Sequence, residues 1–436
     1  YIRGHAKDYD EWQQLGAQGW SWENVLPYFK KSEANERGES EFHGGLGPLS
    51  VSNPRHLNPL TQVFLDASEQ AGYSINKDFN GRHQEGFGCY QTTTRDGQRC
   101  SSAKAYLKPI QKRKNLTVIT KATASRIIFE NDKATSLVYN VNGRGSFREA
   151  ASKEIILCGG SINSPQLLML SGIGPSAHLQ QHGIDVVKDL PGVGENLQDH
   201  LDICTLHKCT QEITYDTTNQ VIAGIQFYLF KQGPGTSNVA ESGGFLRSSL
   251  AEDERPDLQF HFVPAQLDDH GRNKMPGSGY TLHVCFLRPK SRGRLLLTSN
   301  SIQHKPRIEA GYLSDTDGFD LKVMVEAVKI SRKLLSQKAF DDYRGNEIFP
   351  GTAVQSDQEI EAFIREKAES IYHPVGTCKM GNPDDKGTVV DEQCRVIGVK
   401  GLRVVDSSVM PKLIGGNTNA PTIMMAERAA EMILAG

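Results

Sequence analysis

The chain has no long apolar run, no excess of either charge, no CxxC pair and no internal repeat. Each absence excludes a class. No apolar stretch nears the roughly 20 residues that span a bilayer, so no transmembrane segment is expected. Lysine and arginine number 49 against 51 aspartate and glutamate. Neither nucleic acid nor an anionic membrane is therefore expected as the main partner, and peripheral membrane association stays open. Eight cysteines in 436 residues read as reduced thiols and a cytoplasmic protein. No secretory signal pattern opens the chain, whose first residue is Tyr1. No low-complexity tract or long linker separates its parts, so any domains should be interleaved.

What is present suits a mixed α/β protein. The length fits two domains or one large one, and 42 glycines suit many tight turns. Ser21 is placed to cap a helix in which Trp22, Val25, Leu26 and Phe29 recur at helical spacing. A second amphipathic helix ends at Gly72. Residues 123–158 read as a β-meander closing on a buried strand, Glu154 to Cys158, with a helix after it. Alternating strands such as "LQFHFVPAQ" and "GYTLHVCFLRP" predict an antiparallel sheet within 207–300. "DGFDLKVMVEAVKISRKLLSQKAF" predicts a helix, and the tail reads strand, loop, helix.

Two stretches suggest chemistry. "EIILCGGSINSPQLLMLSGIG" has the form of a nucleotide-binding turn, where bare backbone meets a ligand at a helix N-terminus. Gly-Gly after a strand is more often only a tight turn. "GVGENL" lacks a third glycine and follows no strand, so it is not a dinucleotide fingerprint. In the tail, Thr418 or Asn419 can cap a helix beginning around Pro421, and "LIGGNTN" brings amides to its positive end. Such an end can hold a developing anion. Alone, it reads as a well-capped terminal helix.

Together the blocks resemble the glucose–methanol–choline oxidoreductases, near their choline-dehydrogenase-like alcohol dehydrogenases. "GSINSPQLLMLSGIG", "YIRGHAKDYDEW", "LPGVGENLQDH", "HPVGTCKMG", "RVVDSSVMP" and "GGNTNAPTIMMAER" are similar to family blocks and occur in family order. The resemblance implies a Rossmann-like FAD-binding domain from residues 1–20, 112–206 and 374–436. It implies a substrate domain with a mainly antiparallel sheet and flanking helices from 21–111 and 207–373. Family members begin with a βαβ unit carrying GxGxxG, and none is present here. The FAD domain is thus expected to be incomplete at its N-terminus, the chain alone to bind FAD poorly or not at all, and to be inactive unless completed.

The resemblance also implies roles. His373 matches the active-site base and Asn417 its partner, acting on an alcohol whose hydride passes to FAD. Neutral imidazole can take a hydroxyl proton near pH 7. Ala124 should meet adenine through its backbone, and Gly159 and Gly160 should lie near the adenosine half. Asp406, Ser407 and Asn419 should lie near the flavin's phosphate, ribityl and ring atoms, with Pro421 opening the last helix toward the pyrimidine ring. The implied substrate is a small alcohol, a primary alcohol with choline among the candidates. The implied electron acceptor is oxygen or a quinone. Alternatives are a hydroxynitrile-lyase-type enzyme of the same fold and an inert binding module. His261 and His283 read as packed or wall residues, and Glu241 as a pocket or structural carboxylate. Cys204, His207 and Cys209 read as alternating strand residues and not a zinc site.

Overall fold

Strand alternation builds the largest element. In Leu258–Val263, Leu258, Phe260 and Phe262 join an apolar cluster, which leaves Gln259 and His261 for the other face. In Gly279–Phe286, Leu282, Val284 and Phe286 join that cluster, leaving Thr281, His283 and Cys285 opposite. These strands belong to a seven-stranded sheet. Its order is Arg344–Phe349, Leu201–Cys209, Gly279–Phe286, Leu258–Val263, Ser242–Leu246, Gly86–Cys89, with Glu369–Ser370 also pairing Leu201–Cys209. Every pairing is antiparallel. Helices Pro59–Gln70, Phe319–Leu335 and Asp357–Lys367 cover the apolar face. Phe64 stacks on Phe262 with ring centroids 4.7 Å apart. The polar face is left for chemistry. The computed structural model describes residues 1–142 and 144–435.

A second apolar cluster gathers Trp12, Trp20, Phe29, Leu168, Val404 and Met424. Around it, Ala122–Glu130, Lys133–Val141 and Gly145–Ala150 form the expected meander. Ile155–Leu157 pairs in parallel with Leu402–Val404 and leads into helix Gly160–Leu170. Among the described residues Ile155–Leu157 has no second sheet neighbour, and Ile156 is 40 % exposed. The indole N–H of Trp12 donates to the Lys412 carbonyl at 2.8 Å, and that of Trp20 to the Glu392 carbonyl at 2.9 Å. These bonds hold helix Ala6–Gln14 and the turn before helix Trp22–Ser32 to loops of the C-terminal part.

Local expectations met two corrections. Ser21 sits at the N-cap of Trp22–Ser32, but its hydroxyl bonds the Asn24 side chain at 2.8 Å and no backbone N–H. The last helix runs Asn419–Ala435, starting two residues before Pro421, because proline is tolerated throughout a first turn whose N–H groups lack partners. All eight cysteines are free thiols. Among the described residues no helix is long and apolar enough to cross a membrane.

Asp8 ties the two clusters together. Its carboxylate is 2 % exposed. Oδ1 meets Arg288 at 2.7 Å and Arg255 at 3.2 Å, both flanking the large sheet, while Oδ2 accepts the Gly415 N–H at 2.8 Å. Burial alone would raise its pKa, but Arg288, the Gly415 N–H and Arg255 together hold it below the usual carboxylate range. Removing one partner from a buried charge cluster typically costs about 3–5 kcal/mol. Asp8→Ala should therefore lower the unfolding free energy by about 3 kcal/mol or more in urea titrations. An unchanged midpoint would mean that the cluster is not structural.

Candidate active site

Cross-strand and loop geometry gather a chain of side chains on the polar sheet face. His373 is 8 % exposed and precedes Pro374, which restricts its backbone to extended conformations. Tyr372 before it holds φ +63°, a left-handed conformation that a bulky residue adopts only when its surroundings enforce it. Asp199 does the enforcing: its Oδ1 accepts the N–H of His373 at 2.8 Å and of His200 at 2.9 Å. One carboxylate oxygen thus sets two histidines side by side. On the other flank, Gly415 and Gly416 carry the chain to Asn417. Gly416 has φ +153°, and a Cβ there would lie 2.5 Å from Ile2 Cγ2.

The side chains form a directed series. His200 Nε2 lies 3.2 Å from the Leu287 carbonyl, which can only accept, so Nε2 carries the proton. His200 Nδ1 then offers a lone pair to His373 Nδ1, 3.0 Å away. His373 therefore bears its proton on Nδ1 and its lone pair on Nε2. Asn417 Nδ2 lies 3.2 Å from that Nε2. Gln259 Nε2 donates to Asn417 Oδ1 at 3.0 Å, which fixes the amide with its NH₂ toward the histidine. Burial, then the neighbouring His200, holds the His373 pKa well below 6.5. Burial lowers that of His200 to about 3. The arrangement is a neutral imidazole with a directed lone pair beside an N–H donor, suited to taking a hydroxyl proton while holding its oxygen.

Two clefts meet at this point. One, of about 590 Å³, is lined by Gly159, Gly160, His373, Ser407, Asn417 and Asn419 among others, with no charged side chain. The other, of about 710 Å³, runs from Asn417, Asn419 and His261 past Tyr90 to Phe227. Helices Gly160–Leu170 and Asn419–Ala435 both begin at the first cleft, where their N-termini favour negative charge. Gly160 has φ +74°, and a Cβ there would meet nothing within 4 Å, so bare backbone faces open space. The first cleft can take a flat ring system edged with hydrogen-bonding groups.

The structure thus brings His373, Asn417, Asn419, Gly159, Gly160 and Ser407 around one space. The Asp406 carboxylate is committed within the protein: Oδ2 accepts the Gly160 N–H at 2.9 Å and the Ser164 hydroxyl at 2.6 Å. It caps the Gly160 helix. Pro421 is buried in the first turn of the last helix, and Ala124, in strand Ala122–Glu130, lines neither cleft. Glu241 is fully buried and structural, accepting from the Asn58 N–H and the Thr61 hydroxyl, each at 2.7 Å. His283 Nδ1 pairs with Asp202 at 2.6 Å. Sequence reasoning missed His200, Asp199 and Gln259. "NLQDH" abuts a strand of the sheet, a signal for the first two; nothing local marked Gln259.

Buried histidines link stability to pH. Burial lowers the pKa of His261 to about 3, as for His200, and His373 is also depressed. Below the unfolded value of about 6.5, the unfolded chain binds protons that the folded chain refuses, so stability is lost as pH falls. His43 acts oppositely: burial lowers its pKa, but Asp78 and Glu33 outweigh that and raise it to about 9. Its contribution is complete below 6.5 and lost as pH rises through about 9. Between pH 6 and 5 the three neutral histidines should cost up to about 4 kcal/mol per pH unit, seen as a falling urea midpoint. A midpoint constant from pH 6.5 to 5 would contradict their burial as neutral groups.

Comparison with known proteins gives the arrangement a family. The family model described as GMC oxidoreductase matches in its N-terminal part over residues 1–202 and in its C-terminal part over residues 289–426. The chain is 49 % identical to the alcohol dehydrogenase [acceptor] of Pseudomonas putida, over all of this chain and 79 % of that protein. It is 48 % identical to the mitochondrial choline dehydrogenase of Homo sapiens, over 99 % of this chain and 73 % of the other. Among solved structures, pyridoxine 4-oxidase from Mesorbium loti superposes with TM-score 0.89 at 29 % identity, over all of this chain and 82 % of that one. An FAD-dependent oxidoreductase from Chaetomium thermophilum superposes with TM-score 0.89 at 26 % identity, over all of this chain and 84 % of that one. With half its sequence shared along its whole length, the chain belongs to the GMC oxidoreductase family of flavin-dependent enzymes.

Proposed function

We propose that the protein oxidises a primary alcohol, choline among the candidates, to the aldehyde, with FAD as cofactor and oxygen or a quinone as final acceptor. The observation that carries this reading is the His373 Nε2 lone pair, held 3.2 Å from Asn417 Nδ2. An alcohol oxygen within reach of both nitrogens gives its proton to Nε2 and accepts a hydrogen bond from Nδ2. Loss of that proton makes the carbinol carbon a hydride donor. Bound flavin supplies the acceptor for that hydride. Gln259 keeps the Asn417 amide from turning, and His200 keeps the lone pair on Nε2. The first cleft, bare at Gly160 and lacking charged side chains, fits part of an FAD molecule. In this reading Gly159, Gly160, Ser407 and Asn419 hold FAD directly. Asp406 acts by capping the helix that receives it, Ala124 meets adenine through its backbone, and Pro421 shapes the last helix.

The two apolar clusters support a division into an FAD-binding part of residues 1–20, 112–206 and 374–436, and a substrate part of 21–111 and 207–373. Helix Trp22–Ser32 and residues Leu295 and Leu297 then pack with the first part, and the strand from Leu201 with the second. The relatives named above are dehydrogenases and oxidases, which favours redox chemistry over the lyase and inert readings.

Anaerobic stopped-flow mixing with an alcohol tests the assignment. In FAD-loaded His373→Ala, flavin reduction should slow by roughly 10²–10⁴-fold, the usual scale for general-base catalysis. Asn417→Ala should cost less, since it removes a hydrogen bond and no proton acceptor. Flavin content should stay near wild type in both. Reduction of folded, FAD-loaded His373→Ala within a few-fold of wild type would remove His373 from the base role.

A further inference from the structure

Tyr372 lines the first cleft and also a separate cavity of about 340 Å³. Among the described residues, that cavity is lined by the carboxylates of Asp202, Asp268, Asp269 and Glu369 and by a single lysine, Lys367. Lys367 is committed to Asp268 at 3.3 Å. Strand pairing sets two of the acids face to face: Asp202 stands directly opposite Glu369 where Leu201–Cys209 pairs with Glu369–Ser370. Like charges so placed destabilise a sheet. An acidic cluster is commonplace, but two buried atoms here lack partners. Asp202 is 5 % exposed; its Oδ2 accepts from His283 Nδ1 at 2.6 Å, and its Oδ1 is buried with no partner. A buried polar atom left unpaired is costly. His283 Nε2 is likewise buried without a partner, and His283 lines the same cavity. A carboxylate that holds one imidazole nitrogen and leaves the other free is how proteins orient metal-binding histidines.

The donors for an ion stand at the rim. Asp269 and His270 hold φ +46° and +54°, consecutive left-handed residues in the loop after strand Leu258–Val263. This turn brings one ligand atom from each of Asp269, His270 and Glu369 within 4.8 Å of the other two. His270 Nε2 lies 3.2 Å from Glu369 Oε2. Nitrogen and oxygen donors at about 2.1 Å from one ion lie up to about 4.2 Å apart, so small side-chain rotations complete a site. The side chains of His270 and Glu369 keep 27 % and 33 % exposure, which leaves a path from solvent. We propose that Asp269, His270 and Glu369 bind a divalent transition-metal ion, with Asp202 and His283 behind them. Two carboxylates and an imidazole, with no thiolate, suit manganese or zinc. The ion joins the loop around His270 to strand Glu369–Ser370, which runs on to His373. The rings of His270 and Tyr372, the residue before His373, have centroids 5.0 Å apart. The ion thereby braces the segment carrying the base without touching substrate, and the site does not rest on the chemistry proposed above. Without an ion, the same atoms are an ordinary His270–Glu369 pair and an Asp269–Arg272 pair at 2.8 Å.

Mn²⁺ is the probe that separates these cases, because thiolates such as the free cysteines prefer softer ions. Flavin-loaded protein, dialysed against a chelator and titrated with MnCl₂, should bind a single Mn²⁺ per chain, read by loss of the free-ion EPR signal. ZnCl₂ should displace it, since zinc lies above manganese in the affinity order. His270→Ala and Glu369→Gln should each weaken Mn²⁺ binding by about tenfold or more and leave flavin content unchanged. Both side chains are partly exposed, so neither change opens a core cavity. Mn²⁺ should raise the melting temperature of wild type and not of either variant, because an ion held only by the folded chain stabilises it. Wild type that binds neither Mn²⁺ nor Zn²⁺ would overturn the proposal. So would Mn²⁺ binding of undiminished affinity in both variants, which would place the ion elsewhere.

Discussion

The hydrogen bond between two buried nitrogens, His373 Nδ1 and His200 Nδ1, is the contact on which the site depends. Neither ring is charged, so one nitrogen must donate and the other accept. The Leu287 carbonyl settles which, because it can only accept from His200 Nε2. Everything downstream follows by elimination: a proton on His373 Nδ1, a lone pair on Nε2, and Asn417 turned to face it by Gln259. The device is inexpensive in charge. Burial keeps both rings neutral, so the orientation needs no buried ion pair and no desolvated cation.

That series needs two rigid supports, and the fold supplies them from different places. The first is the polar face of the antiparallel sheet, where the alternation that sends Leu258, Phe260 and Phe262 toward the helices leaves Gln259 and His261 toward the clefts. The second is the loop Gly415–Asn417, which Asp8 holds by the Gly415 N–H while pairing with two arginines beside the sheet. Asp8 therefore connects the position of Asn417 to the relation between the two apolar clusters. Asp199 plays the corresponding part for His373 and His200, accepting both backbone N–H groups at one oxygen.

Much of this was legible in the sequence, for identifiable reasons. Alternation disclosed the antiparallel sheet, helical spacing disclosed Trp22–Ser32 and Phe319–Leu335, and family-ordered blocks paired His373 with Asn417 across 44 positions. What stayed hidden depends on contacts between distant residues. His200 lies 173 positions from His373, and its importance is a matter of tautomer, which no residue pattern encodes. Asp406 sits in a recognisable block, yet whether its carboxylate meets a ligand or a helix N-terminus is decided by Gly160 and Ser164, 246 and 242 positions away. Glu241 was open between pocket and structure until four hydroxyl and amide donors were seen to surround it.

The protein's own hydrogen bonds place the His373 lone pair on Nε2 before any substrate arrives. ¹⁵N NMR of histidine-labelled protein reads this directly, because protonated and unprotonated ring nitrogens resonate far apart. His373 should be neutral near pH 7 with its proton on Nδ1, and His200 neutral with its proton on Nε2. A His373 proton found on Nε2, or an imidazolium at either position near pH 7, would contradict it.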